Sequence, residues 1–136
     1  MTHTHPVVGI VLVSHSASLA AGAAELVSQI AGGARVVPAG GTEDGRLGTS
    51  TDLILAAIAE ADQGAGVLLV PDLGSSVISA RVVLAGLDDA PAGSRLALAD
   101  APFVEGAVAA GVAASIGADL AAVARAAEEA RDARKL

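Results

Sequence analysis

The chain has 136 residues, a net charge of −7 and a 53% hydrophobic composition made mostly of Ala, Val and Leu, with Phe103 as its only aromatic residue. That length suits one domain with a real core built by small-residue packing, and the absence of Cys excludes disulfides, thiolate metal sites and Cys nucleophiles. The acidic balance, with Lys and Arg gathered only at the C-terminal end, excludes a nucleic-acid surface and suits solubility or a basic protein partner.

Residues 1–6, Met1-Thr2-His3-Thr4-His5-Pro6, read as an N-terminal tail, and 7–136 as a single domain. The first apolar run, Val7 to Val13, is too short to span a bilayer and has no preceding Lys or Arg, so neither an export signal nor a membrane anchor is expected. With no Cys to suggest an oxidising compartment, the expected location is the cytoplasm. This run is the first predicted strand, and it leads through Ser14 to His15. A helix follows, with Leu19, Ala23, Leu26, Val27 and Ile30 on one face and Gly32-Gly33 at its end.

The second strand is predicted over Ala34 to Pro38, followed by a glycine-rich segment from Ala39 to Ser50. Its four glycines imply special backbone angles or a close approach, either as a surface crossover or as a loop over a site or interface. A second helix is marked by Leu53, Ile54, Ala57 and Ile58, capped by Thr51 or Asp52 and ending before Gly64. Gly66 to Val70 is the third strand and Ser75 to Leu87 the third helix, ending near Asp88-Asp89-Ala90-Pro91. Arg95 to Ala99 is the fourth strand. A fourth helix runs from Phe103 toward Ile116 and breaks at Gly117, and Ala118 to Arg134 forms a last charged helix, read as solvated or subunit-packing.

This alternation predicts an α/β fold, a mainly parallel sheet of about four strands with flanking helices in three layers. In such a sheet, reacting groups collect beyond the carboxyl ends of the strands, where the connections diverge to opposite faces. That rule gathers Ser14, His15 and Ser16 after the first strand, the glycine-rich segment after the second, Asp72, Gly74, Ser75 and Ser76 after the third, and Asp100-Ala101-Pro102 after the fourth. His15 is the only histidine outside the leading segment. A carboxylate such as Asp72 can accept the proton of one ring nitrogen and leave the other free to attack. The helix-start amides after His15 and Gly74 can hold an anion. Together these describe a phosphoryl carrier. Taken singly, each residue has a plainer reading: His15 as a hydrogen-bonded rim residue, Asp72 as a turn residue, Ser75 or Ser76 as a helix cap. Neither a nucleotide-binding glycine motif nor a G-x-S-x-G serine-hydrolase elbow occurs, and nothing in the sequence calls for a cofactor or a metal.

Five separated motifs carry a resemblance that spans Val7 to about Val123. They are Val11-Leu12-Val13-Ser14-His15-Ser16, Gly40-Gly41, Gly48-Thr49-Ser50, Asp72-Leu73-Gly74-Ser75-Ser76 and Ala101-Pro102-Phe103-Val104-Glu105-Gly106-Ala107. In this order and spacing they resemble the phosphohistidine subunits (DhaM) of phosphotransferase-dependent dihydroxyacetone kinase. The resemblance implies the mannose-type enzyme IIA fold and a homodimer. It implies that His15 takes a phosphoryl group from the phosphocarrier HPr and passes it to ADP on the nucleotide-binding kinase subunit. Many relatives continue into HPr-like and enzyme I-like domains, so a chain ending here is expected to use separate donor proteins. On this reading Asp72 orients His15, Ser16, Gly74, Ser75 and Ser76 bind phosphate, and Gly40, Gly41 and Thr49 belong to a site or interface loop. The chain departs from the family pattern at Arg81, where relatives commonly carry an acidic residue.

Two other function classes fit parts of the pattern. A tetrapyrrole metal chelatase also places a histidine after its first strand and would use His15 as a metal ligand, with Glu105 as the only nearby acid available as a second. A non-enzymatic interaction domain rests only on the alanine-rich helices. The expected dimer surface is the third helix, through Val77, Ile78, Val82 and Val83, with the glycine-rich loop nearby.

Overall fold

The computed structural model describes residues 5–87 and 95–136. Four strands, β1 (Gly9–Ser14), β2 (Arg35–Gly40), β3 (Val67–Pro71) and β4 (Leu96–Leu98), form one wholly parallel sheet in the order β2-β1-β3-β4. The helices are α1 (Ala17–Ile30), α2 (Thr51–Ala61), α3 (Gly74–Gly86), α4 (Phe103–Ser115) and α5 (Leu120–Glu129). Alternation along the strands fills two cores, as a sheet covered on both faces requires. Ile10, Leu12, Leu68 and Val70 pack on one face with Ala23, Ala24 and Val27 of α1, Ala107, Ala110 and Ala114 of α4, and Val123 and Ala127 of α5. On the other face Val11, Val13, Val67 and Leu69 meet Ile54, Ala57 and Ile58 of α2 and Ala80 and Val83 of α3. The result is the three-layer α/β arrangement expected.

Small residues set the spacing between neighbouring elements. A Cβ on Gly111 of α4 would lie 2.4 Å from Cγ1 of Val27, so α4 can seat against α1 only with glycine there. Gly40, at the end of β2, would bring a Cβ within 2.4 Å of the Ser16 carbonyl oxygen. The start of α1 therefore rests directly on the end of β2.

Several boundaries differ from the sequence reading. β1 begins at Gly9 and extends to Ser14, while the Val7 N–H donates to Gln63 Oε1 at 3.2 Å. α1 stops at Ile30 with Ala31 as its C-cap, one residue before Gly32-Gly33. Ser50, and neither Thr51 nor Asp52, caps α2, its Oγ accepting from the Leu53 N–H at 3.2 Å. The predicted end of α3 at Asp88-Asp89-Ala90-Pro91 lies outside the described residues. The last helix is shorter than Ala118–Arg134: Asp119 caps it at 2.9 Å from the Ala122 N–H, and after Glu129 the chain tightens into a 3₁₀ turn over Ala130–Asp132. It is not a solvated appendage. Val123 and Ala127 are fully buried, and Glu128 accepts from the Asp100 N–H at 3.1 Å just past β4.

Candidate active site

The path of the chain fixes where the site lies. From β1 the chain enters α1 on one face of the sheet, and from the adjacent β3 it enters α3 on the other. The crevice between the ends of β1 and β3 is therefore a topological switch point, where ligands bind in open α/β sheets. His15 follows β1 by one residue and Asp72 follows β3 by one residue. The Asp72 N–H donates to the Val13 carbonyl at 3.0 Å, which extends the sheet ladder to the foot of the site.

His15 Nδ1 lies 3.0 Å from Asp72 Oδ1. The carboxylate is the meeting point of five donors. Oδ1 also accepts from the Leu73 N–H at 2.7 Å and the Ser76 hydroxyl at 2.9 Å, and Oδ2 accepts from the Ser14 hydroxyl at 2.9 Å and the His15 N–H at 3.1 Å. Burial opposes ionisation of Asp72. The donors led by Ser14, the His15 backbone and Ser76 outweigh it and hold the carboxyl below its ordinary range. An ionised carboxylate only accepts hydrogen bonds, so Nδ1 must carry the proton of that contact. The lone pair of the neutral ring is then on Nε2, which contacts Ser75 Oγ at the exposed first turn of α3.

The other residues singled out from the sequence divide into three groups. Ser75 touches the ring. By position in the first turn of α3, Gly74 and Ser75 have N–H groups without intrahelical acceptors, and Gly74 and Asp72 line a cavity of about 450 Å³ that reaches Arg81 and Asp100. Ser76 is buried, its hydroxyl turned to Asp72 and to the Leu73 carbonyl, and Ser16 is spent on capping α1, accepting from the Leu19 N–H at 3.1 Å while its own N–H donates to Ser14 Oγ. The Ser76 hydroxyl therefore serves the fold, whereas the cap made by Ser16 uses an acceptor lone pair and leaves its hydroxyl hydrogen available to donate. The glycine-rich segment passes behind the histidine. The Gly41 N–H, at a φ of 75°, donates to the Ser14 carbonyl at 3.1 Å, the Gly48 N–H donates to the His15 carbonyl at 2.9 Å, and Thr49 Oγ1 bonds Ser79 Oγ of α3 at 2.6 Å. Gly40 contributes only the close seat for α1.

The metal-chelatase expectation finds no support. Glu105 is engaged by Lys135 Nζ at 2.6 Å, whose hydrogen bond and charge lower the Glu105 pKa, and no group of three His, Cys, Asp or Glu side chains able to hold a metal occurs among the described residues. The sequence reading set Ser14 at this rim but gave it no role. The available signal was its place at the last position of a buried strand, where a polar side chain must find partners inside the protein.

Comparison with known proteins agrees with the resemblance. A family model described as PTS system fructose IIA component (EIIA-man) matches residues 9–124. The phosphoryl donor subunit DhaM of PEP-dependent dihydroxyacetone kinase 2 from Listeria innocua is 37% identical over 106 residues, covering 77% of this chain and 84% of its own. The phosphotransferase subunit DhaM of PTS-dependent dihydroxyacetone kinase from Lactococcus lactis is 33% identical, covering 85% and 89% respectively. The DhaM protein of Escherichia coli is 35% identical, but the chain spans only 25% of it. Among solved structures, the crystal structure of the unknown-function protein EF1359 superposes with a TM-score of 0.78 at 34% identity, covering 92% of this chain and 95% of that one. The chain thus belongs to the EIIA-man family of phosphotransferase-system components, among the DhaM subunits of PEP-dependent dihydroxyacetone kinase.

Proposed function

We propose that the protein is the phosphoryl donor of a dihydroxyacetone kinase, taking a phosphoryl group from HPr onto Nε2 of His15 and delivering it to ADP on the nucleotide-binding kinase subunit. In the first step the P–N bond on the carrier breaks as a new P–N bond forms at Nε2. In the second, that bond breaks and a terminal oxygen of ADP takes the phosphorus, giving ATP. The Nδ1 proton stays on the ring throughout, facing a fixed anion. Phosphoryl transfer needs positioning and electrostatic support more than covalent help, and Asp72 supplies both. Ser75 Oγ, once turned away from Nε2, and the amides of Gly74 and Ser75 offer donors to the phosphoryl oxygens.

The observation that carries this reading is the Asp72 carboxylate, saturated by five donors and bonded to Nδ1, which leaves Nε2 as the nucleophile at an exposed rim. Incubation with phosphoenolpyruvate, enzyme I and HPr should add one acid-labile, base-stable phosphoryl group per chain. His15→Ala should abolish the label, and labelling that survives in that variant overturns the proposal.

Residues 7–136 act in this reading as one phosphotransfer domain behind a short tail. Among the described residues no helix is long and apolar enough to cross a membrane, and a carrier fed by phosphoenolpyruvate works in the cytoplasm. The protein further pairs as a homodimer through α3. Val83 drops out of the expected surface because it is buried against the sheet, whereas Ile78 and Val82 are 65% and 59% exposed. Val82 also lines a hollow of about 260 Å³ with Leu55 and Leu87. Sedimentation at micromolar concentration should give twice the chain mass; a monomer there contradicts the pairing.

A further inference from the structure

Ser14 is fully buried and touches no reacting atom, yet it is one of the five donors on the Asp72 carboxylate. Its hydroxyl accepts from the Ser16 N–H at 3.0 Å and donates to Asp72 Oδ2 at 2.9 Å, so a single atom joins the end of β1, the start of α1 and the residue that leaves β3. Comparison with Ser76 shows why this contact is the stricter one. The single hydroxyl hydrogen of Ser76 has two acceptors in reach, Asp72 Oδ1 at 2.9 Å and the Leu73 carbonyl at 2.6 Å. The hydrogen of Ser14 has, among the described residues, only Asp72. Without it, Oδ2 keeps one donor, the His15 N–H, and the carboxylate is freer to turn about its Cβ–Cγ bond. That turn would swing Oδ1 away from Nδ1.

We propose that Ser14 is a positioning residue for phosphoryl transfer: its buried hydroxyl fixes the plane of the Asp72 carboxylate and, through it, the tautomer and direction of the His15 ring. The inference rests on the reading that His15 carries the phosphoryl group. The ordering of donors on Asp72 agrees with it, since Ser14 leads the hydrogen bonds that hold this carboxyl ionised. The titratable and charged groups facing Asp72 are His15 from the end of β1 and, across the adjoining cavity, Arg81 of α3 and Asp100 beyond β4. None of these is altered by changing Ser14.

The test uses the full chain carrying Ser14→Ala, Ser14→Thr and Ser14→Cys. Three quantities are read: the rate of phosphorylation by HPr, the titration of the Asp72 carboxyl by ¹³C NMR and the ring ¹⁵N shifts of His15. Ser14→Ala should slow transfer about tenfold, the scale of one lost charge-assisted hydrogen bond. It should also move the Asp72 midpoint upward and blend the ring tautomers. Ser14→Thr, which keeps the hydroxyl, should restore all three. Ser14→Cys, a weak donor of similar shape, should fall between and serves if the alanine variant does not fold. Wild-type rate and wild-type Asp72 titration in folded Ser14→Ala or Ser14→Cys overturn the proposal. So does a slow variant whose Asp72 midpoint and ring shifts are unchanged, because the hydroxyl would then support only the fold. Failure of the wild type to accept phosphate overturns the functional reading instead.

Discussion

The two ends of the sheet differ in a way that hollow size does not foretell. At the amino ends of the strands a cavity of about 670 Å³ is lined by Val7, Gly33, Arg35, Gln63, Ser115 and Gly117. At the carboxyl ends the cavity beside Asp72 is about 450 Å³. In the larger one the polar groups close off chain ends: the Arg35 guanidinium donates to the Glu60 carbonyl, at 2.7 Å from Nη2, and Gln63 Oε1 accepts from the Val7 N–H. At the other end polar groups from β1, β3 and α3 converge on one imidazole. Function follows the divergence of α1 and α3 to opposite faces, which opens the crevice and aims the residues after both strands into it.

The sharpest way to break this contrast is at Asp72. Asp72→Asn should lower transfer from HPr at least about tenfold, a barrier increase of about 1.4 kcal/mol. The change also costs the fold, because whichever carboxylate oxygen becomes an NH₂ group then faces at least two donors. A loss of about 1–3 kcal/mol is expected, visible as a drop of several degrees in Tm. The pH dependence has a definite sign. The native pKa of Asp72 lies below its unfolded value of about 3.9, so its stabilisation is complete above that pH and is lost as the pH falls through the lowered native value. Acid unfolding of Asp72→Asn should lack that component.

A matched pair of glycines sharpens the comparison. A Cβ at Gly40 would lie 2.4 Å from the Ser16 carbonyl oxygen, and one at Gly9, at the other end of the central strand β1, 2.3 Å from that of Ala61. Both alanine variants should be destabilised by about 1–3 kcal/mol through overpacking. Only Gly40→Ala pushes on the turn that carries His15. At a temperature where both are folded, it alone should slow transfer, by about tenfold, since a small misplacement of a reacting group suffices. Equal rates in the two variants would show that His15 tolerates displacement of α1.

The smallest effect is expected in the larger cavity. Gln63→Ala should leave transfer unchanged and alter stability by about 0.5 kcal/mol or less, as for an exposed side chain with one hydrogen bond. A clear loss of transfer there would contradict the division between the two ends.

The fold was legible because most strands are short apolar runs and the crossovers carry helical spacing, as in Gly9–Ser14 followed by Ala17–Ile30. The meeting of His15 and Asp72 was legible for the same reason, since topology alone brings the residues after β1 and β3 together. Two kinds of detail were not. The commitments of individual hydroxyls depend on which hydrogen bonds close locally: Ser50 caps α2 in place of its neighbours, Ser16 caps α1 through a lone pair, and the buried Ser76 hydroxyl turns to Asp72 although its position suggested phosphate. The burial of Val83 is a tertiary fact, for the Val and Ala stripes of α3 carry too little periodic contrast to say which side meets the sheet, and α5, though amphipathic, does not say in sequence which partner its apolar face meets.

The central claim is that Asp72 holds the Nδ1 proton and leaves Nε2 to take the phosphoryl group. Two-dimensional ¹H–¹⁵N NMR of histidine-labelled protein, recorded before and after phosphorylation by phosphoenolpyruvate, enzyme I and HPr, tests it directly. Nδ1 should be protonated in both states, with the phosphoryl group on Nε2 of His15. A phosphoryl group on Nδ1, or a free ring whose proton resides on Nε2, would contradict it.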